Sequence, residues 1–478
     1  ADSASLDPHQ RAYYLAQIPF TPEQMSLPKD SVKRSFDLPP VTDENTRVQC
    51  INSAREAILE LTHHNPGPVQ LNIRIVDLLQ GKFENIDLPQ IRTIKRYMAW
   101  DKWDDAILAD KRVLVVVGEH RPFNARQQEA LDSFCESYNA VVYVNHLSNY
   151  SGKYSIAANL LVSCGGLRHL VPDVVITIGG QTGDYSLFNN MCRLGQIEHW
   201  RVSEDGNAVN TYGKLNKIFE CPDYFFFERF RKDEMSSHAY FAEWSNLNAQ
   251  MKYDVDVPFS NLYAAQSLYK LIPSYSIMNF AILNSLRCWS YFPLDSTIQA
   301  YANVAAFGID GCNSMLIGES MNTNDMCFIV TGDLAFFYDM NALGIRHIKN
   351  NVRVLLVNNH GGAEFKIMTR GWKQDVHVED YISANNHNGS AKGWAENCGF
   401  KYLSANSKES FEEAKTAFVS PSEQPMLLEL FTEEIDEAIA MEQFLSENRV
   451  ETSEDRLKKV VSSIVGQAGV KVIKRFLK

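Results

Sequence analysis

No apolar run in this sequence is long enough to cross a bilayer. The longest, such as Val113–Val117 and Cys327–Val330, fall far short of the ~20 residues a spanning helix needs. The first residues lack the basic-then-apolar order of a signal peptide. Basic side chains are outnumbered, 46 against 58 acidic, for a formal charge of −12. No Lys/Arg-rich stripe with interleaved aromatics supplies a footprint for a phosphate backbone. Neither nucleic acid nor a membrane is therefore an expected partner. The nine cysteines (50, 135, 164, 192, 221, 288, 312, 327 and 398) are scattered, odd in number and never spaced as CxxC. That pattern suggests neither a disulfide framework nor a zinc site, and a reducing cytoplasm suits it best. Internal repeats and low-complexity tracts are absent as well.

What the sequence does have is the composition of an ordinary folded protein: 478 residues, 45% hydrophobic and 22% charged, enough for two or three domains. Short β-branched runs alternate with helix-length stretches, the pattern of α/β layers built on parallel sheets. A first segment, 1–76, holds a polar loop, a helix with Ile51, Ala54, Ile58 and Leu61, and a strand at Val69–Ile73. The second, 77–245, opens on a linker and shows strands at Val113–Val117, Val141–Val144, Val174–Ile178 and Trp200–Val202. The third, 246–445, contains strands at Cys327–Val330 and Val352–Val357, joined by a helix expected through Asn341 to His347, and closes on a strand at Pro425–Leu430. A charged helical tail is expected over 446–478. His63 and His64 end the first helix, where a cation meets the negative end of the helix dipole, and the sequence assigns them no ligand.

The chemistry concentrates in the third segment. In open parallel sheets, ligands bind beyond the carboxyl ends of strands. There the strand ending in Thr331-Gly332-Asp333-Leu334 is followed, 25 positions after Asp333, by Asn358-Asn359-His360-Gly361-Gly362 at the end of the next strand. A carboxylate, an amide oxygen and backbone carbonyls are hard oxygen ligands of the kind Mg2+ prefers. Glycines at 332, 361 and 362 allow a diphosphate to approach the backbone closely. Each half alone has an ordinary structural reading, Gly-Asp as a helix cap and Asn-Asn-x-Gly-Gly as a turn.

The two halves at this spacing resemble the signature of thiamine diphosphate (ThDP) enzymes. The continuation Ala335-Phe336-Phe337-Tyr338-Asp339-Met340-Asn341-Ala342-Leu343 and the upstream Phe307-Gly308-Ile309-Asp310-Gly311 narrow the resemblance. They look like the menaquinone-pathway synthases that make 2-succinyl-5-enolpyruvyl-6-hydroxy-3-cyclohexene-1-carboxylate. The resemblance implies a pyrimidine-binding domain whose C-terminal part is 1–76, a nucleotide-domain-like central domain over 77–245 and a diphosphate-binding domain over 246–445. It makes Asp333, Asn359 and Gly361 the Mg2+ ligands, Ile309 the apolar wedge under ThDP, and Gly308, Gly332 and Leu334 cofactor contacts. His360 and Glu364 are its candidate catalytic residues, with Ser285 and Phe365 facing the substrate. A 2-oxo acid is the implied substrate, decarboxylation with carbon–carbon ligation the implied reaction, and a homodimer or homotetramer the implied assembly.

Two departures stand beside the resemblance. Three arginines of that family, suited to substrate carboxylates, are replaced here by Val304, Trp289 and Ser3, which points to a less anionic or differently shaped substrate, although Arg287 or Lys366 could compensate for one of them. The acid that serves the cofactor's aminopyrimidine has no counterpart, since it would lie upstream of Ala1. The sequence leaves three explanations open: a shortened chain, an enzyme split over two chains, or a non-catalytic relative that only binds the cofactor.

Overall fold

A computed structural model describes residues 27, 30–74, 92–233, 235–305, 308–368 and 387–451. Along the chain run the strands β1 (Arg34–Leu38), β2 (Val69–Ile73), β3 (Lys95–Met98), β4 (Val113–Val117), β5 (Ala140–Val144), β6 (Ser155–Ala157), β7 (Val174–Ile178), β8 (Glu198–Val202) and β9 (Leu215–Glu220). Six more follow: β10 (Ile277–Phe280), β11 (Gln299–Ala302), β12 (Cys327–Gly332), β13 (Val352–Asn358), β14 (Lys401–Ala405) and β15 (Met426–Phe431). Five helices matter below: α1 (Glu44–Glu60), α2 (Asn284–Ser290), α3 (Asp333–Tyr338), α4 (Ala363–Met368) and α5 (Glu434–Glu447). Among the described residues no helix is long and apolar enough to cross a membrane.

The chain divides into two compact units. The first, Ala1–Asp104 with Glu198–Phe226, contains the parallel pair β1–β2 and the parallel row β3-β9-β8. Helix α1 starts at a capping box: Asp43 accepts from the Thr46 backbone N–H, and the Thr46 hydroxyl oxygen accepts from the Asp43 N–H.

The second unit, Asp105–Ile197 with Phe227–Lys478, contains the parallel row β7-β4-β5-β6 and a six-stranded parallel sheet ordered β11-β10-β12-β13-β15-β14. Both are covered by helices, so the fold is the layered parallel α/β architecture that the β-branched runs suggested. Strand β4 is buried at every position, as a parallel strand packed on both faces requires. Strand β13 is equally buried yet carries Arg353. Its guanidinium donates to the backbone carbonyls of Phe418, Asn350, Val352 and Ser420, and burial lowers its pKa to about 10.

One element differs from the sequence expectation. Between β12 and β13 the helix expected over 341–347 is replaced by α3, which starts directly at Asp333, and a 3-10 turn over Met340–Gly344. The Asp339 carboxylate accepts from the backbone N–H and hydroxyl of Ser314, and Trp394 Nε1 donates to the Met340 carbonyl. These bonds hold the chain between the two short helices and stop α3 from continuing.

Glu437 of α5 is buried and accepts from the Asn261 N–H, the Thr432 hydroxyl and, at 3.5 Å, the Asn284 amide. Burial raises its pKa to about 7 despite those donors. A carboxyl whose folded pKa lies above its unfolded one stabilises the fold fully below the unfolded value and loses that contribution as pH rises through the folded one. Between pH 5 and 8 the loss should amount to ~3 kcal/mol. Urea unfolding across this range should show a falling midpoint for the natural protein and a much flatter one for Glu437→Gln. Equal slopes would assign the pH dependence elsewhere.

Candidate functional site

The six-stranded sheet reverses its strand order between β10 and β12, since β11 lies beyond β10 on one side and β13 beyond β12 on the other. Crevices at such reversals, beyond the carboxyl ends of the strands, are where open α/β sheets bind ligands. Gly332, the last residue of β12, pairs in register with Val357 of β13. Asp333 and the Asn358-Asn359 pair therefore leave the sheet side by side.

Asp333 is 2% exposed. Its Oδ1 accepts from the Leu334 N–H at 2.7 Å, and its Oδ2 accepts from the Gly361 N–H at 3.0 Å. Burial raises the carboxyl above its ordinary pKa, and these N–H groups together with His387 pull in the opposite direction. His387 Nε2 lies 3.0 Å from the same Oδ2, while its Nδ1 accepts from the Gly389 N–H. Those two bonds fix the tautomer: Nε2 carries the proton and points it at Asp333. Asn359, two positions before Gly361, is buried, and its Oδ1 has no hydrogen-bond partner among the described residues.

The two asparagines have different tasks. Asn358 donates through Nδ2 to the Gly389 carbonyl and to Glu429 Oε1, both at 2.8 Å, and its Oδ1 accepts from the His360 N–H. Glu429, fully buried in β15, also accepts from the Ser390 hydroxyl, the Ala391 N–H and the Tyr402 hydroxyl. One buried carboxylate thus ties the β13 turn to the 387–391 segment. That burial and the Glu429 bond raise the Tyr402 pKa to about 12. Sequence reasoning named neither Glu429 nor His387.

Of the residues singled out from sequence, Gly332, Asp333, Leu334, Asn359, His360 and Gly361 come together here. His360 adopts a left-handed φ of 66°, and its Nδ1 donates to the His387 carbonyl at 3.1 Å, which leaves Nε2 as the ring's acceptor nitrogen. Ile309 is half-buried and packs against hydrophobic clusters on both faces of the sheet. The Gly308 carbonyl accepts from Asn303 Nδ2. Ser285, on α2, is buried. The side chains of Phe365 and Lys366, both on α4, and the whole of Ser3 lie outside the described residues.

Glu364 is not free. Both its oxygens accept from Arg287, at 2.7 and 2.9 Å, in a fork-to-fork pair with side chains 13% and 20% exposed. Burial works against the guanidinium charge, but the carboxylate outweighs it and holds Arg287 above its ordinary pKa. Two of the three positions where arginines were expected, Trp289 and Val304, are buried in the apolar core. A separate cavity of about 340 Å³, lined by Phe123, His146 and Asp295 among others, includes none of the residues named for this site.

The donor set fits a divalent ion carrying a diphosphate. Among the described residues, Asn359 Oδ1 is a buried oxygen lacking the partner such atoms normally have. It stands with a buried carboxylate, in the oxygen-only chemistry that Mg2+ selects. A Cβ built at Gly332 would meet nothing within 4 Å, so there is space against the backbone beside Asp333.

No family model matches the chain. Over 424 residues, 84% of this chain and 74% of the relative, the sequence is 31% identical to the 2-succinyl-5-enolpyruvyl-6-hydroxy-3-cyclohexene-1-carboxylate synthase of Phocaeicola vulgatus. The synthase of the same name from Bacteroides fragilis is 30% identical over the same shares. That of Christiangramia forsetii is 29% identical over 409 residues, 79% of this chain and 69% of its own.

Proposed function

The chain belongs to the 2-succinyl-5-enolpyruvyl-6-hydroxy-3-cyclohexene-1-carboxylate synthase family, and from that premise we propose that it is a ThDP- and Mg2+-dependent enzyme that decarboxylates a 2-oxo acid and joins the remaining carbons to an acceptor. The observation that carries the reading is the buried Asn359 Oδ1, without a hydrogen-bond partner among the described residues, in the turn whose Gly361 N–H reaches Asp333 at the ends of adjacent parallel strands. Asp333, Asn359 and the Gly361 carbonyl would hold Mg2+, and the open backbone at Gly332 would receive the diphosphate. When bound, ThDP supplies the electron sink that lets a 2-oxo acid lose carbon dioxide. The chain's own residues then bind and orient. Ile309 gives an apolar support packed from both faces of the sheet, His387 keeps Asp333 oriented, and His360 Nε2 is available to accept a proton.

The proposed substrate is less anionic than a dicarboxylic 2-oxo acid. Val304 and Trp289 present no charge, and the guanidinium of Arg287 is already occupied by Glu364. A site discriminates by such differences in contact. Carbon dioxide release should favour monocarboxylic over dicarboxylic 2-oxo acids by ~10-fold or more in kcat/KM, the scale of one lost charge-assisted contact. Glu364→Gln, which weakens the hold on Arg287, should narrow that ratio. A preference for the dicarboxylic acid in the natural protein would overturn the substrate reading. ThDP binding without any release of carbon dioxide would favour a cofactor-binding subunit instead.

A further inference from the structure

Within the first unit, the turn after α1 and the end of β9 bring together three groups that the mechanism does not use. His63 is 5% exposed, the Glu220 side chain 7%, and His64 59%. Glu220 follows the histidine pair by more than 150 positions, so its approach is invisible in the sequence. We propose that His63, His64 and Glu220 form a binding site for one divalent transition-metal ion of the zinc class.

The distances carry the argument. His64 Nδ1 lies 3.4 Å from Glu220 Oε1, and His63 Nε2 lies 3.8 Å from Oε2. Both are longer than a well-formed hydrogen bond. They are close to the ~3.4 Å edge of a tetrahedron whose corners stand 2.0–2.2 Å from a central zinc. One ligand atom from each of the three residues falls within a 4.8 Å sphere of separation. The imidazoles are stacked, with centroids 4.0 Å apart and planes 27° from parallel. His64 holds this position at a left-handed φ of 50°, a conformation uncommon for a residue with a side chain.

Glu220 Oε2 is buried and has no hydrogen-bond partner among the described residues, a cost that a coordinated ion removes. Gly206, at φ 59°, permits this, since a Cβ there would stand 2.2 Å from that oxygen. Beyond the ligands, Glu60 Oε2 sits 3.0 Å from His63 Nδ1. That is the carboxylate–histidine arrangement that orients a metal-binding imidazole and raises its basicity. His63 Nε2 is also 2.8 Å from the Asp205 carbonyl, so metal binding there requires loss of the Nε2 proton and a shift of that carbonyl away from the ring.

Two cations border the site among the described residues. Lys33 Nζ donates to the His63 carbonyl at 2.6 Å and pairs with Glu60. Arg96 Nε approaches Glu220 Oε2 to 3.7 Å while donating to the carbonyls of Gly206 and Leu59. It offsets part of the carboxylate charge. With only one carboxylate and two imidazoles, the set suits zinc, nickel or copper rather than calcium, which takes six to eight oxygens. A bound ion ties the end of α1 to the end of β9.

The test is a Co2+ titration of the full chain after dialysis against a chelator, read by the visible absorption of four-coordinate Co2+. The expected result is a single saturable band, displaced by Zn2+, retained in Asp333→Ala and lost in Glu220→Gln. His64→Gly should lose it too, and because His64 is exposed and left-handed that variant should fold at least as well as the natural chain without metal. Absence of the band in the natural protein, or its persistence in both His64→Gly and Glu220→Gln, overturns the proposal.

Discussion

Asp333→Ala is expected to weaken binding of ThDP at saturating Mg2+ by ~100-fold or more, because loss of a direct metal ligand should exceed the 10–100-fold typical of its supporting shell. The substitution removes the only carboxylate of the proposed donor set. It also strands the N–H groups of Leu334 and Gly361 and the Nε2 proton of His387, which meet at this side chain. Asp333→Asn separates the two effects, since its amide oxygen still accepts one of those bonds while the charge is gone. Titration calorimetry should place it near the alanine variant in affinity, and urea unfolding should place it between the alanine variant and the natural protein in stability. Affinities within threefold of one another across all three proteins would remove Asp333 from the site.

The second large effect belongs to Glu429. Four donors converge on this buried carboxylate: Asn358 Nδ2, the Ala391 N–H and the hydroxyls of Ser390 and Tyr402. Glu429→Leu removes the acceptor these four groups share, at ~3–5 kcal/mol, the usual scale for breaking a buried charged network from one side. Glu429→Gln should recover much of the loss. Its oxygen can face Asn358 and Ala391 while its amide donates to the two hydroxyl oxygens, which accept as well as donate. Urea unfolding followed for both variants checks the order, and equal losses for Leu and Gln would mean that the network contributes no more than packing. Because the same carboxylate positions Asn358 and the 387–391 segment, the leucine variant should also lose cofactor affinity.

The parts of this site legible in the sequence are those carried by local pattern. Strands β12 and β13 are short apolar runs, and the Gly332-Asp333 and Asn358-Asn359 pairs follow them directly. The parallel register then brings the two turns together, as the spacing suggested. The parts that were not legible depend on distant segments. His387 reaches Asp333 from 54 positions away and Glu429 reaches Asn358 from 71. Glu429 did leave a trace, a lone acid within the apolar strand Met426–Phe431, just as Arg353 interrupts β13. A charge inside a buried strand implies fixed partners without naming them. Arg287 shows the reverse case. It looked available to a substrate carboxylate, yet the fold gives it Glu364, 77 positions on. The pair changes what the site can accept. The helix expected before β13 differs for a non-local reason, since Asp339 is anchored by Ser314 from another helix 25 positions upstream, a contact no helix propensity encodes.

The most direct test of the central claim is an electron paramagnetic resonance titration with Mn2+ in place of Mg2+, in the presence and absence of ThDP, on the natural chain and on Asn359→Ala. If Asp333, Asn359 and Gly361 hold a metal–diphosphate unit, Mn2+ should become tightly bound only when ThDP is present. It should then show coupling to the diphosphate phosphorus nuclei and be bound at least ~10-fold more weakly in the variant. Mn2+ binding that ignores ThDP, or that is unchanged in Asn359→Ala, would contradict the account.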